Sequence, residues 1–162
     1  MANYFNETAS ISKLASIEVS TRGTNTHIGK FSVIDDFVKI KHVGGKGDIF
    51  IGDYVYINSC TVLYSGNGIK IGNNVLMGPN CSLTPSNHNF NDKKTLIRLQ
   101  GFQPSKGGIV IEDDVWLGAN VTVLDGAIIR KGCIIGANSM VISHTEEYGI
   151  YVGIPAIKIK SR

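Results

Sequence analysis

The chain has 162 residues, is 43% hydrophobic and carries a formal net charge of +3. These values predict one domain with a real core, and no apolar run reaches the ~20 residues that a membrane helix needs. The basic residues are scattered apart from Lys158, Lys160 and Arg162, which reads as a solvated surface with a basic tail and not as a nucleic-acid face.

The start, MANYFNETAS, has neither a basic n-region nor an apolar h-region, so no secretory signal is expected. Further on, an aliphatic residue returns at every sixth position. The runs are Ile28, Ile34, Ile40, then Ile51, Ile57, Leu63, then Ile71, Met77, Leu83, and finally Ile111, Leu117, Val123, Ile129, Ile135, Val141. With aliphatics at roughly 0.3 of the chain, six fixed positions in a row arise by chance in about one frame in a thousand. A period of six is neither helical nor a simple alternation; it marks a coiled solenoid.

With the aliphatic residue as position i, position i+4 is small or β-branched, as at Ser32, Val38, Thr61, Cys81 and Cys133. Position i+1 is often glycine, as at Gly29, Gly52, Gly72 and Gly118. Position i+3 of the later repeats is Asn, Asp or Gly, types that tolerate a left-handed corner. Each hexapeptide therefore predicts one short strand and one corner. The turn dipeptides of a meander are absent and every repeat has the same polarity. The strands should thus wind onward and stack in parallel, three to a coil, as a triangular prism with ladders of aliphatics inside. The period leaves the handedness open.

The phase slips around residues 44–48, again around residues 65–68, and most of all between Leu83 and Ile111. The last slip predicts a protruding loop over residues 89–108. Its Phe90, Leu96, Ile97, Leu99 and Phe102 are too apolar for a free tail, so it should lie on its own prism or on a neighbouring subunit. His88 stands where this loop leaves the coil, and His27, His42 and His144 have no comparable placement. Cys60, Cys81 and Cys133 are odd in number and lack a CxxC pair. They are expected to be buried free thiols in a reducing compartment, with neither a disulfide nor a zinc role. The single domain divides into a segment 1–9, coils 10–88, the loop 89–108, coils 109–146 and a tail 147–162.

The segments IGNNVLMGPNCSLTPSNHNF, DDVWLGANV, IIGANSMV and VGIPA occur in an order that resembles the hexapeptide-repeat acyltransferases, over roughly residues 49–160. More narrowly, the chain is similar to the galactoside, maltose and polysaccharide O-acetyltransferases. The resemblance implies an all-β, left-handed parallel β-helix, a homotrimer with intersubunit active sites, acetyl-CoA as co-substrate and no metal. It implies that His88 is the general base. An imidazole suits that task, because a sugar hydroxyl is a poor nucleophile near neutral pH until its proton is taken. It further places Asn58 and Tyr56 at the acceptor, and Trp116, Ala119, Ala137, Ser143, His144, Lys158 and Lys160 along the donor. Two departures stand out: His144 follows Ser143 where many relatives have Thr-Lys, and Ile157 replaces an arginine after the VGIPA box.

The implied function is transfer of an acetyl group to a saccharide hydroxyl in the cytoplasm, for a surface polysaccharide or lipopolysaccharide. The alternative is N-acetylation of a nucleotide-linked amino sugar. An antibiotic acetyltransferase and a non-catalytic β-helix rank below both. A zinc-binding β-helix would need grouped histidines, a pattern that this sequence lacks.

Overall fold

The structure is a computed structural model that describes residues 3–162, so Met1 and Ala2 of the segment 1–9 lie outside the described residues. Short strands wind into three parallel sheets, the faces of a prism. The first face stacks Tyr4–Phe5, Thr26–Ile28, Ile49–Ile51, Ile69–Ile71, Ile109–Ile111 and Ile128–Ile129. The second face runs from Ser10–Ile11 through Tyr56–Ile57 and Trp116–Leu117 to Gly149–Val152, and the third runs from Ser16–Ile17 to Met140–Val141. This is the left-handed parallel β-helix expected. Among the described strands the polarity reverses at the end, where Ile157–Ser161 pairs antiparallel with Gly149–Val152.

The every-sixth aliphatics point inward. Ile51 stacks on Ile71 and Ile71 on Ile111, while Met77 lies between Ile57 and Leu117. Each is 3% exposed or less, and each buried aliphatic of this size contributes roughly 1.5–3 kcal/mol. The winding includes one coil more than the aliphatic rows show, with Phe5, Ile11 and Ile17 as its inward residues. A fourth slip, between Ile17 and Ile28, separates that coil from the rest.

The i+3 corners are left-handed as their residue types predict, with φ near 58° at Asn74, Asn80, Asp114, Asn120 and Asn138. The early coils reach the same conformation with Phe31, Phe37, Tyr54 and Cys60, which lack the usual tolerance for it. Their side chains point into solvent, and Phe31 stacks on Tyr54 at 5.1 Å between ring centres. Cys60 is therefore exposed, contrary to expectation, because it occupies the corner itself and not the inward i+4 site of Cys81 and Cys133. At the first corner, side chains staple successive coils. Asp53 Oδ1 accepts from Lys30 N at 2.7 Å, and Asn73 Oδ1 accepts from Asp53 N at 2.8 Å. Corner N–H groups that lack a ladder partner are satisfied in this way.

All the slips fall at one edge, the corner where the third face passes to the first. His42 is buried in one of these bulges, 2% exposed. Its Nδ1 shares a hydrogen bond with Thr24 Oγ1 at 2.7 Å and its Nε2 shares one with Thr26 Oγ1 at 3.1 Å. The loop 89–108 leaves from the same edge as a narrow arm with a single 3-10 turn, Ile97–Leu99. Gln103 N donates to Asn87 O at 2.7 Å and Asn89 N to Gly101 O at 2.9 Å, which zips its neck. Its return is clamped by Asp125, only 5% exposed, whose carboxylate accepts from Lys106 N and Gly108 N, both at 2.9 Å, and from Asn67 Nδ2 at 3.0 Å. The tip does not lie on its own prism: Leu96 is 63% exposed, and Phe90, Ile97 and Leu99 are exposed with it.

Two consequences can be measured. Burial pushes the His42 pKa below its ordinary 6.5, against the opposing pull of Glu18 and Asp48. The unfolded chain therefore takes up a proton that the folded one refuses. Stability is full above about pH 6.5 and is lost as the pH falls through the window below it. The unfolding midpoint should drop from about pH 7.5 to about pH 5, and His42→Gln should flatten that slope; equal slopes would contradict the assignment. Asp125→Ala removes the acceptor of three N–H donors, the buried Gly108 N and the partly covered Lys106 N and Asn67 Nδ2. It should cost about 1–3 kcal/mol in denaturant unfolding, with faster proteolysis of the arm. An unchanged cleavage rate would show that the clamp is not needed.

Candidate active site

The residues singled out in the sequence fall into two groups on the prism. Tyr56 and Trp116 project outward from the second face in one column, each paired in register with Leu76 between them. Trp116 is 49% exposed. At the corner where the second face meets the third, Asn58, Ala119 and Ala137 lie along one edge, with Gly78 and Pro79 on the coil between Asn58 and Ala119. Asn58 Oδ1 accepts from Ser59 N at 2.8 Å. The stacking here is tight: a Cβ built on Gly118 would come within 2.6 Å of the Ala137 nitrogen, and one on Gly78 within 2.7 Å of the Ala119 nitrogen. Glycine keeps this edge thin enough to approach. One coil below, Asp35 Oδ2 accepts from Ser59 Oγ at 2.8 Å. Hydrogen bonds from Asp36 N–H, Ser59 and Tyr56 hold the Asp35 carboxyl below its ordinary 3.8, so this corner keeps a carboxylate beside Tyr56.

The second group lies across the third face, at the bulged corner. His88 sits in the neck of the arm, bridged antiparallel to Phe102. The two rings pack with centres 4.5 Å apart and planes 31° apart. This contact orients the imidazole but leaves it exposed, and neither ring nitrogen hydrogen-bonds to another described residue. The Asn89 side chain fixes the neck from behind, donating to Gln100 O at 3.2 Å and Phe102 O at 3.0 Å. Ser143 and His144 lie at the same corner nearer the C-terminal end and line a cleft of about 500 Å³ with Lys106, Asp125 and Ile142. An exposed imidazole whose nitrogens are free has the form a general base needs.

Within one chain the two groups do not meet, because the third face separates Asn58 from His88. Lys158 and Lys160 belong to neither. Both lie on the terminal antiparallel strand, where Lys158 Nζ is bonded to Glu146 Oε2 at 2.6 Å. The histidines are dispersed: His27 stacks between Tyr4 and Phe50, and His42 is buried. Sequence reasoning missed Phe102 and Asn89 as the support of His88, and Asp125 as the clamp. For Asp125 the local signal was only an Asp-Gly turn; its partners lie up to 58 positions away.

The family model for bacterial transferase hexapeptide (six repeats) matches residues 108–143. The galactoside O-acetyltransferase of Lactococcus lactis is 34% identical over 114 residues, covering 70% of this chain and 53% of that protein. A hexapeptide-repeat acetyltransferase of Vibrio cholerae, solved with acetyl-CoA, superposes with a TM-score of 0.70 at 30% identity, over 83% of this chain and 70% of that one. The N-acyltransferase AntD of Bacillus cereus, solved as a mutant with dTDP-4-amino-4,6-dideoxyglucose and coenzyme A, reaches a TM-score of 0.81 at 26% identity, over 99% of this chain and 83% of that one. The chain spans about half the length of the curated relatives it matches. With the sequence repeat, the wound prism and these likenesses in agreement, the chain belongs to the hexapeptide-repeat transferase family.

Proposed function

We propose that this protein transfers an acetyl group from acetyl-CoA to a saccharide hydroxyl, with His88 as general base. The observation that carries the reading is the His88 ring, held against Phe102 at the arm neck with both nitrogens free. In the proposed step an imidazole nitrogen takes the hydroxyl proton as the sugar oxygen attacks the thioester carbonyl. The tetrahedral intermediate then collapses by breaking the C–S bond, and the imidazolium returns the proton to the departing thiolate. No covalent enzyme intermediate is needed, so both substrates are bound together.

The site is completed between copies of the chain. Asn58, Tyr56 and the Ala119–Ala137 edge sit at one corner and His88 at another, so a neighbouring prism is what brings the two sets together. The exposed arm and the outward column of Tyr56, Leu76 and Trp116 supply apolar surface for such packing. We assign Asn58 and Tyr56 to the acceptor, and Trp116, Ala119, Ala137, Ser143 and His144 to the donor groove. The assembly is a homotrimer. Its place is the cytoplasm, where acetyl-CoA is available, and its product belongs to surface polysaccharide or lipopolysaccharide. The likeness to the galactoside O-acetyltransferase supports hydroxyl transfer. The likeness to AntD over nearly the whole chain favours a second reading, acylation of the amine of a nucleotide-linked sugar, by the same base.

A panel of hydroxyl and amino sugars, read by release of free CoA thiol, separates the two acceptors. On the best acceptor, His88→Ala should lower kcat by roughly 10²–10⁴-fold while acetyl-CoA binding is kept. Full turnover by that variant would remove His88 from the chemistry. In light scattering the protein should have the mass of three chains, whereas a monomer would leave each site with one wall.

A further inference from the structure

We propose that Lys106, Ser143 and His144 form the seat of the 3′-phosphate of the coenzyme A donor, with Lys106 as its fixed positive charge. The inference rests on the acetyl-CoA reading and answers a question that reading leaves open. Neither His144 nor Ile157 supplies a permanent cation at the nucleotide end, and Lys158 is already bridged to Glu146. The other arginines of the last coils are spent as well, Arg130 on Glu112 at 2.8 Å and Arg162 on Asp114 at 2.9 Å.

Lys106 belongs to the returning limb of the arm, far in sequence from the other two. Asp125 brings it to them: the buried carboxylate takes the Lys106 backbone N–H at 2.9 Å and so fixes that residue over Gly126. The Lys106 stem runs across this glycine, where a built Cβ would lie 2.9 Å from Lys106 Cβ and 3.7 Å from its Cδ. Lys106 thereby lines the same cleft of about 500 Å³ as Ser143 and His144. The acid in this cleft is not free to compete for it, since Asp125 accepts three hydrogen bonds from N–H groups. The Lys106 ammonium, the Ser143 hydroxyl and the His144 ring have no hydrogen-bond or ion-pair partner among the described residues.

The chemistry of these three groups selects a phosphomonoester. Such a group carries a charge of about −1.5 to −2 and presents three acceptor oxygens. The seat offers one ammonium, one hydroxyl and one ring N–H, so each terminal oxygen finds a donor. A diester-like phosphate within the pyrophosphate has a single charge and two free oxygens, and would leave one donor unused. Lysine serves here as a point charge on a flexible stem.

The test is calorimetric titration of the full-length protein with CoA and with 3′-dephospho-CoA, for wild type, Lys106→Gln and Lys106→Arg. Wild type should bind CoA at least about tenfold more tightly than the dephospho form, the scale of one charge-assisted contact. Lys106→Gln should lose most of that preference by weakening CoA alone, and Lys106→Arg should keep part of it. Lys106 is exposed, so matching melting curves will show that the variants fold. Equal weakening of both ligands, or an unchanged preference, would overturn the seat while leaving the acetyl-CoA reading intact. No CoA binding by wild type would overturn both.

Discussion

The constraint on which this molecule depends is the register of one coil on the next. Parallel strands sit about 4.8 Å apart, and each coil must close through the same three corners to keep its aliphatics stacked. Ile51, Ile71 and Ile111 occupy one ladder although 20 residues separate the first pair and 40 the second. Extra residues cannot be absorbed into a face without breaking this register, since an odd number turns the inward side chains outward and an even number displaces the corner that follows. They are extruded at a corner, and here every extrusion occurs at the same one. The regular part of the prism therefore decides where the irregular part goes, and His88 is held at the root of the largest extrusion.

Much of this was legible because it is local and periodic. The spacing of Ile111, Leu117 and Val123 predicts inward ladders, and the Asn and Asp corners predict left-handed backbone; both are present. Trp116 falls at an outward position and is exposed. The first coil was not legible, because Phe5 replaces the aliphatic residue and a slip separates Ile17 from Ile28. Phe31, Phe37, Tyr54 and Cys60 carried no corner signal, since the residue types that favour such a backbone are absent there. Buried polar pairings were equally hidden. His42 meets Thr24 and Asp125 meets Lys106 only because the bulges stack, and no short window of sequence contains both partners.

The division of the candidate site follows from the same geometry. A prism offers three edges, and residues on different edges stay apart however close their coils. Asn58, Ala119 and Ala137 share an edge because each follows an inward residue of the second face. His88, Lys106, Ser143 and His144 share another because each belongs to what the third face extrudes. The sequence resemblance names residues from both edges for one reaction. In the proposed assembly, two copies of the chain, each lending a different edge, would reconcile that with a solenoid in which each coil contacts only its neighbours. The arm fits this arrangement, with an apolar tip that its own prism does not cover and a neck that holds the imidazole.

A crystal structure of the protein with coenzyme A tests this account most directly. The prediction is a ligand lying between two prisms, its sulfur beside the His88 ring of one chain and its pantetheine arm along the Ala119–Ala137 edge of the next. A ligand held entirely by one chain, or with its sulfur remote from every His88, would contradict it.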